Sequence, residues 1–375
     1  MEGSKDKKRV LFVFGTRPEA IKMAPVIAAF KNAAFFETKV CITAQHREML
    51  DQVLDFFEIV PDYDLDLMRK NQDLYSLTSR VLESLKNPLE DFKPNLVFVH
   101  GDTTTTMAAS LAAFYAGAKV GHIEAGLRTF NKHSPFPEEM NRQITGRLTD
   151  FHFAPTQLSK SNLLAENIKE ENIFVTGNTV IDALHTTVRK VEQETPSFAK
   201  DIPFLDKKLI VITGHRRENF GSGMRGICEV FNEIALSRTD IHLVYPVHLN
   251  PNVQSVVSEV LSGITNISLI NPLAYPDFVW LMNKAHFIVT DSGGVQEEAP
   301  GLGKPVLVTR DTTERPEAIT AGTVLLVGTD PNKLKEGILI LLNNETVYNQ
   351  MSQAHNPYGD GKAAQRIFQL VKERL

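Results

Sequence analysis

The sequence predicts the α/β class, with two doubly wound parallel sheets in one chain of 375 residues. Three observations carry that expectation. Short runs rich in Val, Ile and Phe alternate with longer helical patterns, which is the signature of βαβ units. The runs form two similar sets, separated by a mixed-charge stretch that Pro196 and Pro203 interrupt. At 42% apolar and 23% charged residues, the chain has the composition of a globular protein long enough for two cores.

In the first set the strands are expected at Val10 to Phe14, Lys39 to Thr43, Leu96 to His100, Lys119 to Ile123, Phe151 to Ala154 and Ile173 to Thr176. Leu209 to Thr213, His242 to Pro246, Ile267 to Ile270, Phe287 to Thr290, Pro305 to Thr309 and Thr323 to Val327 make up the second. These divide the chain into a first domain over 1–184, a helix and linker over 185–208, and a second domain over 209–357. Asn356 to Gly361 is turn chemistry, and Ala363, Ile367, Leu370 and Val371 then mark a terminal amphipathic helix.

Composition also excludes classes of partner. With 40 Lys and Arg against 45 Asp and Glu, the net charge of −5 argues against a nucleic-acid or anionic-membrane surface. Cys41 and Cys228 fit no disulfide or metal framework, and the histidines show no metal-ligand spacing. No apolar run approaches the ~18 residues of a membrane span. The apolar run after Lys7-Lys8-Arg9 is too short for a signal peptide, so a cytoplasmic protein is expected.

Ligands of open α/β sheets bind beyond the carboxyl ends of the strands, so the residues just past each apolar run matter most. Gly15-Thr16-Arg17-Pro18-Glu19-Ala20-Ile21-Lys22 comes after the first. Pro18 suits the first helical position, which places Arg17 at the cap and Lys22 one turn inside, an anion site on a helix amino end. A helix start with a Glu19 to Lys22 surface pair fits the same spacing. Gln45, His46 and Arg47 come after the second run, Asp102 and four threonines after the third, and Glu124-Ala125-Gly126-Leu127-Arg128 after the fourth. Asp102 also fits a helix cap, and Glu138 with Arg142 an ordinary i,i+4 pair. Glu124 must find a partner at the end of a buried strand. In the second half Gly214-His215-Arg216-Arg217-Glu218, Asp291-Ser292-Gly293-Gly294 and Arg310 to Glu317 occupy equivalent positions. Gly221-Ser222-Gly223-Met224-Arg225-Gly226 matches a dinucleotide fingerprint literally but starts eight residues after its strand ends.

Gly15 to Pro25, His100 to Thr103, His122 to Arg128, Pro137 to Arg142, Gly214 to Glu218 and Asp291 to Glu298, in that order, resemble the non-hydrolysing UDP-N-acetylglucosamine 2-epimerases. The resemblance covers nearly the whole chain. It implies a GT-B architecture of two Rossmann-like domains with a cleft between them, residues 358–375 returning to the first. It further implies a homodimer, no cofactor, no metal, and UDP-N-acetylglucosamine interconverted with UDP-N-acetylmannosamine. Carried over by residue, it sets the diphosphate against Arg17, His215, Ser292, Gly293 and Gly294, with Arg315 a further ligand contact. Glu298 takes the ribose, while Leu273 and Phe278 lie near uracil. Lys22, Asp102, Glu124 and Glu138 line the sugar side, with Arg142 beside them among the substrate contacts. Some relatives carry a regulatory site at the segment equivalent to Gln45-His46-Arg47. Leu273 stands where some relatives have Gln, and Met140 where some have Ala. A hydrolysing relative, a GT-B glycosyltransferase and an idle nucleotide-sugar sensor remain as alternatives.

Overall fold

The computed structural model describes residues 7–375, apart from 45, 46, 68, 70–72, 201, 204, 205, 215–221 and 314. The chain divides into two compact units, Met1–Ala183 with Tyr358–Leu375, and Leu184–Pro357.

The first unit holds strands β1 (Lys8–Phe14), β2 (Phe36–Ile42), β3 (Tyr63–Asp64), β4 (Leu96–His100), β5 (Lys119–Ile123), β6 (Phe151–Ala154) and β7 (Ile173–Val175). Its helices are α1 (Arg17–Lys31), α2 (Arg47–Phe56), α3 (Leu74–Ser84), α4 (Lys86–Phe92), α5 (Thr104–Tyr115), α6 (Glu138–Leu148) and α7 (Gln157–Ala165). Helix α8 (Thr179–Val191) starts in this unit and ends in the next. The strands pair in parallel in the order β3-β2-β1-β4-β5-β6-β7, so the winding reverses between β1 and β4. Parallel strands covered on both faces read as unbroken apolar runs, and Val10 to Phe14 are all buried accordingly. The pair Tyr63–Asp64 is a strand that the sequence does not predict, being too short and too polar to leave such a run.

The second unit holds β8 (Lys208–Thr213), β9 (Ile241–Pro246), β10 (Ile267–Ile270), β11 (Phe287–Thr290), β12 (Val306–Val308) and β13 (Val324–Leu326). Around them lie α9 (Ser222–Ser237), α10 (Pro251–Leu261), α11 (Tyr275–Lys284), α12 (Gly293–Gly301), α13 (Pro316–Thr320), α14 (Pro331–Asn343) and α15 (Glu345–Gln353). The order β10-β9-β8-β11-β12-β13 is the doubly wound Rossmann order, reversing between β8 and β11. Residues 185–208, expected as a helix and linker, cluster with this unit instead. Ala199 and Ile202 are buried, and Phe198 meets Trp280 edge to face at 5.8 Å, so the stretch packs as core.

Helix α16 (Ala363–Arg374) belongs to the first unit. Ile367 and Val371 are buried, and the Phe368 ring meets Phe30 at 5.3 Å and Phe36 at 5.7 Å. A fully buried aliphatic or aromatic side chain contributes about 1.5–3 kcal/mol, enough for this one face to dock the helix.

Candidate active site

The first unit's polar residues gather where its winding reverses. Helix α1 is capped by Thr16, so Arg17 is its first residue and Pro18 its second, one position later than expected. The four-residue box Thr16-Arg17-Pro18-Glu19 explains the shift, because the Glu19 carboxylate reaches back to accept the N–H groups of Thr16 (2.8 Å) and Gly15 (3.0 Å). Its other oxygen accepts the Thr103 and Thr106 hydroxyls at 2.7 and 3.2 Å. Glu19 is therefore no surface partner of Lys22. It is buried and ties the loop after β1 to the loop after β4, with burial pushing its pKa up against those donors.

Lys22 instead forms an ion pair with Glu124 at the end of β5. Glu124 has φ +64°, a left-handed backbone that costs a non-glycine residue roughly 1–3 kcal/mol and aims its side chain off the strand line. Asn178 Nδ2 donates to the same carboxylate oxygen at 2.9 Å, and His100 Nε2 stands 3.9 Å from it.

Asp102 does not cap α5, since Thr103 does so by accepting the N–H of Thr106. Asp102 Oδ2 receives Arg142 Nη2 at 2.6 Å and Nε at 3.0 Å, and its carbonyl receives Asn141 Nδ2 at 2.9 Å. Arg142 also reaches Glu139 at 3.2 Å, so the i,i+4 pair with Glu138 that the spacing also fits does not form. Glu139 is fully buried and accepts the N–H groups of Thr129 and Phe130 and the Gln143 amide. Burial works to raise its pKa, but the Thr129 N–H, Gln143 and Arg142 outweigh it and hold the carboxyl below its usual range. Glu138, half-exposed, and Arg17 have no ion-pair partner among the described residues. Beneath this rim His122 Nε2 donates to the Gly101 carbonyl at 2.7 Å.

The second unit presents a helix amino end. Ser292 caps α12, its own N–H being taken by the Thr290 hydroxyl at 2.9 Å. The first N–H groups of α12 belong to Gly293 and Gly294, and the Arg315 guanidinium lies beside Gly293. A Cβ on Gly293 would fall 2.5 Å from Arg315 Nη1, so only glycine admits this approach. Glu297 fixes the guanidinium by accepting Arg315 Nε at 2.7 Å. A cation over a helix amino end is the arrangement that favours a phosphate. Glu298 is one turn into the same helix, with Oε1 3.6 Å from the position a Gly294 Cβ would take. Leu273 lines a cavity of about 610 Å³ with Phe198, Val247, Leu269 and Ile270; Phe278 is half-buried on α11.

Comparisons with known proteins give the family. The sequence profile of the UDP-N-acetylglucosamine 2-epimerases matches residues 28–372. An enzyme of that name from Yersinia pestis is 60% identical over 370 residues, covering 97% of this chain and 98% of its own. The chain belongs to the UDP-N-acetylglucosamine 2-epimerase family. The crystal structure of the Neisseria meningitidis epimerase bound to UDP-N-acetylglucosamine superposes with a TM-score of 0.89 at 53% identity, covering 98% of this chain and 100% of that one. A glycosyltransferase of kitacinnamycin, 12% identical, superposes with a TM-score of 0.67 over 98% of this chain, a likeness of fold alone. The architecture is thus α/β and GT-B, as the family resemblance implies.

Among the expected epimerase site residues, Lys22 and Glu124 meet, as do Asp102 and Arg142, while Arg315 meets Gly293 of the Ser292-Gly293-Gly294 turn. His215, Gln45 and His46 lie outside the described residues. Arg47, expected in a regulatory segment, is committed to Asp64 at 2.6 Å and Asp66 at 3.0 Å. Sequence reasoning missed Glu19, Glu139, Asn178 and Glu297. Only Glu19 had a local signal, the Thr-x-x-Glu spacing of a capping box. Among the described residues no cluster of His, Cys, Asp and Glu could hold a metal ion, and no helix is long and apolar enough to cross a membrane.

Proposed function

We propose that this chain interconverts UDP-N-acetylglucosamine and UDP-N-acetylmannosamine by inverting C2. The observation that carries the reading is the pair of cation-bound carboxylates, Lys22 with Glu124 and Arg142 with Asp102, at the winding reversal of the first sheet.

The C2–H has no adjacent carbonyl, so its direct ionisation is too slow. In an anti elimination a carboxylate takes the C2 proton, the C–H electrons form the C1–C2 double bond, and the C1–O electron pair leaves with UDP. Re-addition of the UDP oxygen to C1, with a proton delivered to the opposite face of C2, completes the inversion. Electrons balance without an oxidant or reductant, so no redox cofactor enters the scheme.

The leaving diphosphate gains charge in the transition state, so preorganised cations and N–H groups lower the barrier. We assign it to Arg17, His215, Arg315 and the Ser292-Gly293-Gly294 turn, with Lys22 stabilising the departing oxygen. Glu298 takes the ribose, Leu273 and Phe278 the uracil, and Arg142 orients the sugar-side groups. Proton removal and return on opposite faces need more than one acid/base group, and Asp102, Glu124 and Glu138 share those roles. The free, buried thiols of Cys41 and Cys228 support a cytoplasmic setting, and family resemblance supports a homodimer.

Proton magnetic resonance of the substrate in deuterated water tests the reaction. Expected is UDP-N-acetylmannosamine carrying deuterium at C2, with no dependence on added NAD. An epimerised product without the label would overturn the elimination route. Rapid release of UDP with free N-acetylmannosamine would identify a hydrolysing enzyme.

A further inference from the structure

Asn178 sits between β7 and α8, buried, with each polar group of its side chain given a defined task. Oδ1 accepts the N–H of Val180 at 3.0 Å, which turns Nδ2 toward Glu124 Oε2 at 2.9 Å. An amide with an acceptor on one side and a donor on the other has only one orientation. Its backbone is held as well, because the Asn178 N–H donates to the Tyr358 carbonyl at 2.7 Å.

That carbonyl belongs to the segment returning from the second unit. The stretch 176–182 grips it at several points. Arg366 Nη1 donates to the Thr176 carbonyl at 3.1 Å while Nη2 pairs with Asp360 at 2.7 Å. Gly177, at φ +90°, lies in van der Waals contact with the segment, a Cβ there falling 3.4 Å from the Tyr358 carbonyl oxygen and 3.5 Å from Gly359 Cα. The Asp182 carboxylate caps α16 by accepting the N–H groups of Ala363 (3.1 Å) and Ala364 (2.9 Å). The returning segment is thus the seat of the residue that touches Glu124.

We infer that Asn178 is a positioning residue for Glu124, seated by the returning C-terminal segment, so that α16 supports the acid/base group of the first unit. The inference rests on the epimerase reading. Lys22 and Asn178 both donate to Oε2, and together they fix the plane of a carboxylate carried on a left-handed backbone. Removing Asn178 leaves the charge pair but releases the plane. Displacement of about 1 Å at an acid/base group costs turnover on the order of 10²-fold while leaving nucleotide contacts alone.

Asn178→Ala and the near-isosteric Asn178→Asp, compared with the unaltered full chain, test it. Alanine should lower kcat by roughly 10-fold or more, with KM and UDP affinity within about threefold. Aspartate keeps the acceptor for Val180 but sets a second carboxylate against Glu124, so its kcat should fall at least as far. Where the alanine variant does not fold, the aspartate variant decides. Parent-level kcat in a folded variant, or a KM rise matching the kcat loss, would overturn the inference. An unaltered chain without any C2-labelled product would instead remove the epimerase reading itself.

Discussion

Arg142 bypasses the glutamate four residues before it and pairs with Asp102, 40 positions earlier in the chain, through Nη2 at 2.6 Å and Nε at 3.0 Å. Its remaining nitrogen Nη1 holds Glu139. One planar guanidinium thus joins a buried carboxylate to a proposed acid/base carboxylate. A lysine ammonium cannot bridge both.

Arg142→Ala should therefore weaken both fold and turnover. Breaking a buried pair costs about 3–5 kcal/mol, and Glu139 keeps its three other donors, so the lower end is expected. Asp102, released from its guanidinium, should lower kcat by on the order of 10²-fold. Urea unfolding and the deuterium assay read the two effects, and Arg142→Lys should recover stability better than turnover. Unchanged turnover in the alanine variant would remove Arg142 from the site.

Lys22 and Glu124, 102 positions apart, form the second such pair. Lys22→Ala should reduce kcat by about 10²–10³-fold, the usual effect of losing one preorganised charge donor, while UDP affinity measured by calorimetry changes little. Because the two side chains act as a unit, Lys22→Ala combined with Glu124→Gln should be scarcely worse than the poorer single variant. Parallel losses of kcat and UDP affinity in Lys22→Ala would make it a binding residue only.

These pairings mark where the sequence stops being informative. Val10 to Phe14 and Leu96 to His100 were readable because a strand buried on both faces must be apolar throughout. The site was readable as a set of charged residues just past such runs, because the carboxyl ends of parallel strands share one edge. Which cation meets which carboxylate was not, since that choice is made across 40 or 102 positions of chain by the strand order. Asn178 left no trace of its role beside Glu124. Its one local contact is the turn to Val180, while the partners that matter here come from just past β5 and from the chain's last twenty residues, so no local pattern contains them.

Gly293→Ala tests the second unit on its own. The new Cβ would meet Arg315 Nη1 at 2.5 Å and Cζ at 2.7 Å, so the guanidinium must shift away from Gly293. The fold should survive, because alanine is the better helix former at a helical position. UDP affinity should fall by roughly 10–100-fold, the loss of one charge-assisted contact of about 1.5–3 kcal/mol. Affinity equal to that of the parent would show that Arg315 does not hold the nucleotide.

Stability should begin to fall just below neutral pH, where the buried histidines act. Burial pushes His122 down to about 3, with the Gly101 carbonyl opposing and His152, Arg128 and His100 adding to the shift. Burial likewise takes His152 and His286 to about 4. In each case the folded pKa lies below the unfolded 6.5, so the unfolded chain binds a proton that the folded chain refuses. Their contribution is intact above 6.5 and is lost as pH falls toward 4, at about 1.4 kcal/mol per histidine per pH unit. Glu19 and Asp182, whose pKa values burial raises, act in the opposite sense. Their folded forms keep a proton that the unfolded chain gives up, so they regain stability as the pH drops through the same region. Asp277 acts in the same sense as these two, but the four lowered histidines, His242 included, outnumber the three raised carboxyls. Urea unfolding between about pH 7.5 and about pH 5 should show the decline, and His122→Gln, which keeps a donor for Gly101 without titrating, should flatten it by about 1.4 kcal/mol per unit. Equal slopes in parent and variant would mean that His122 is protonated in the folded chain, against the burial that surrounds it.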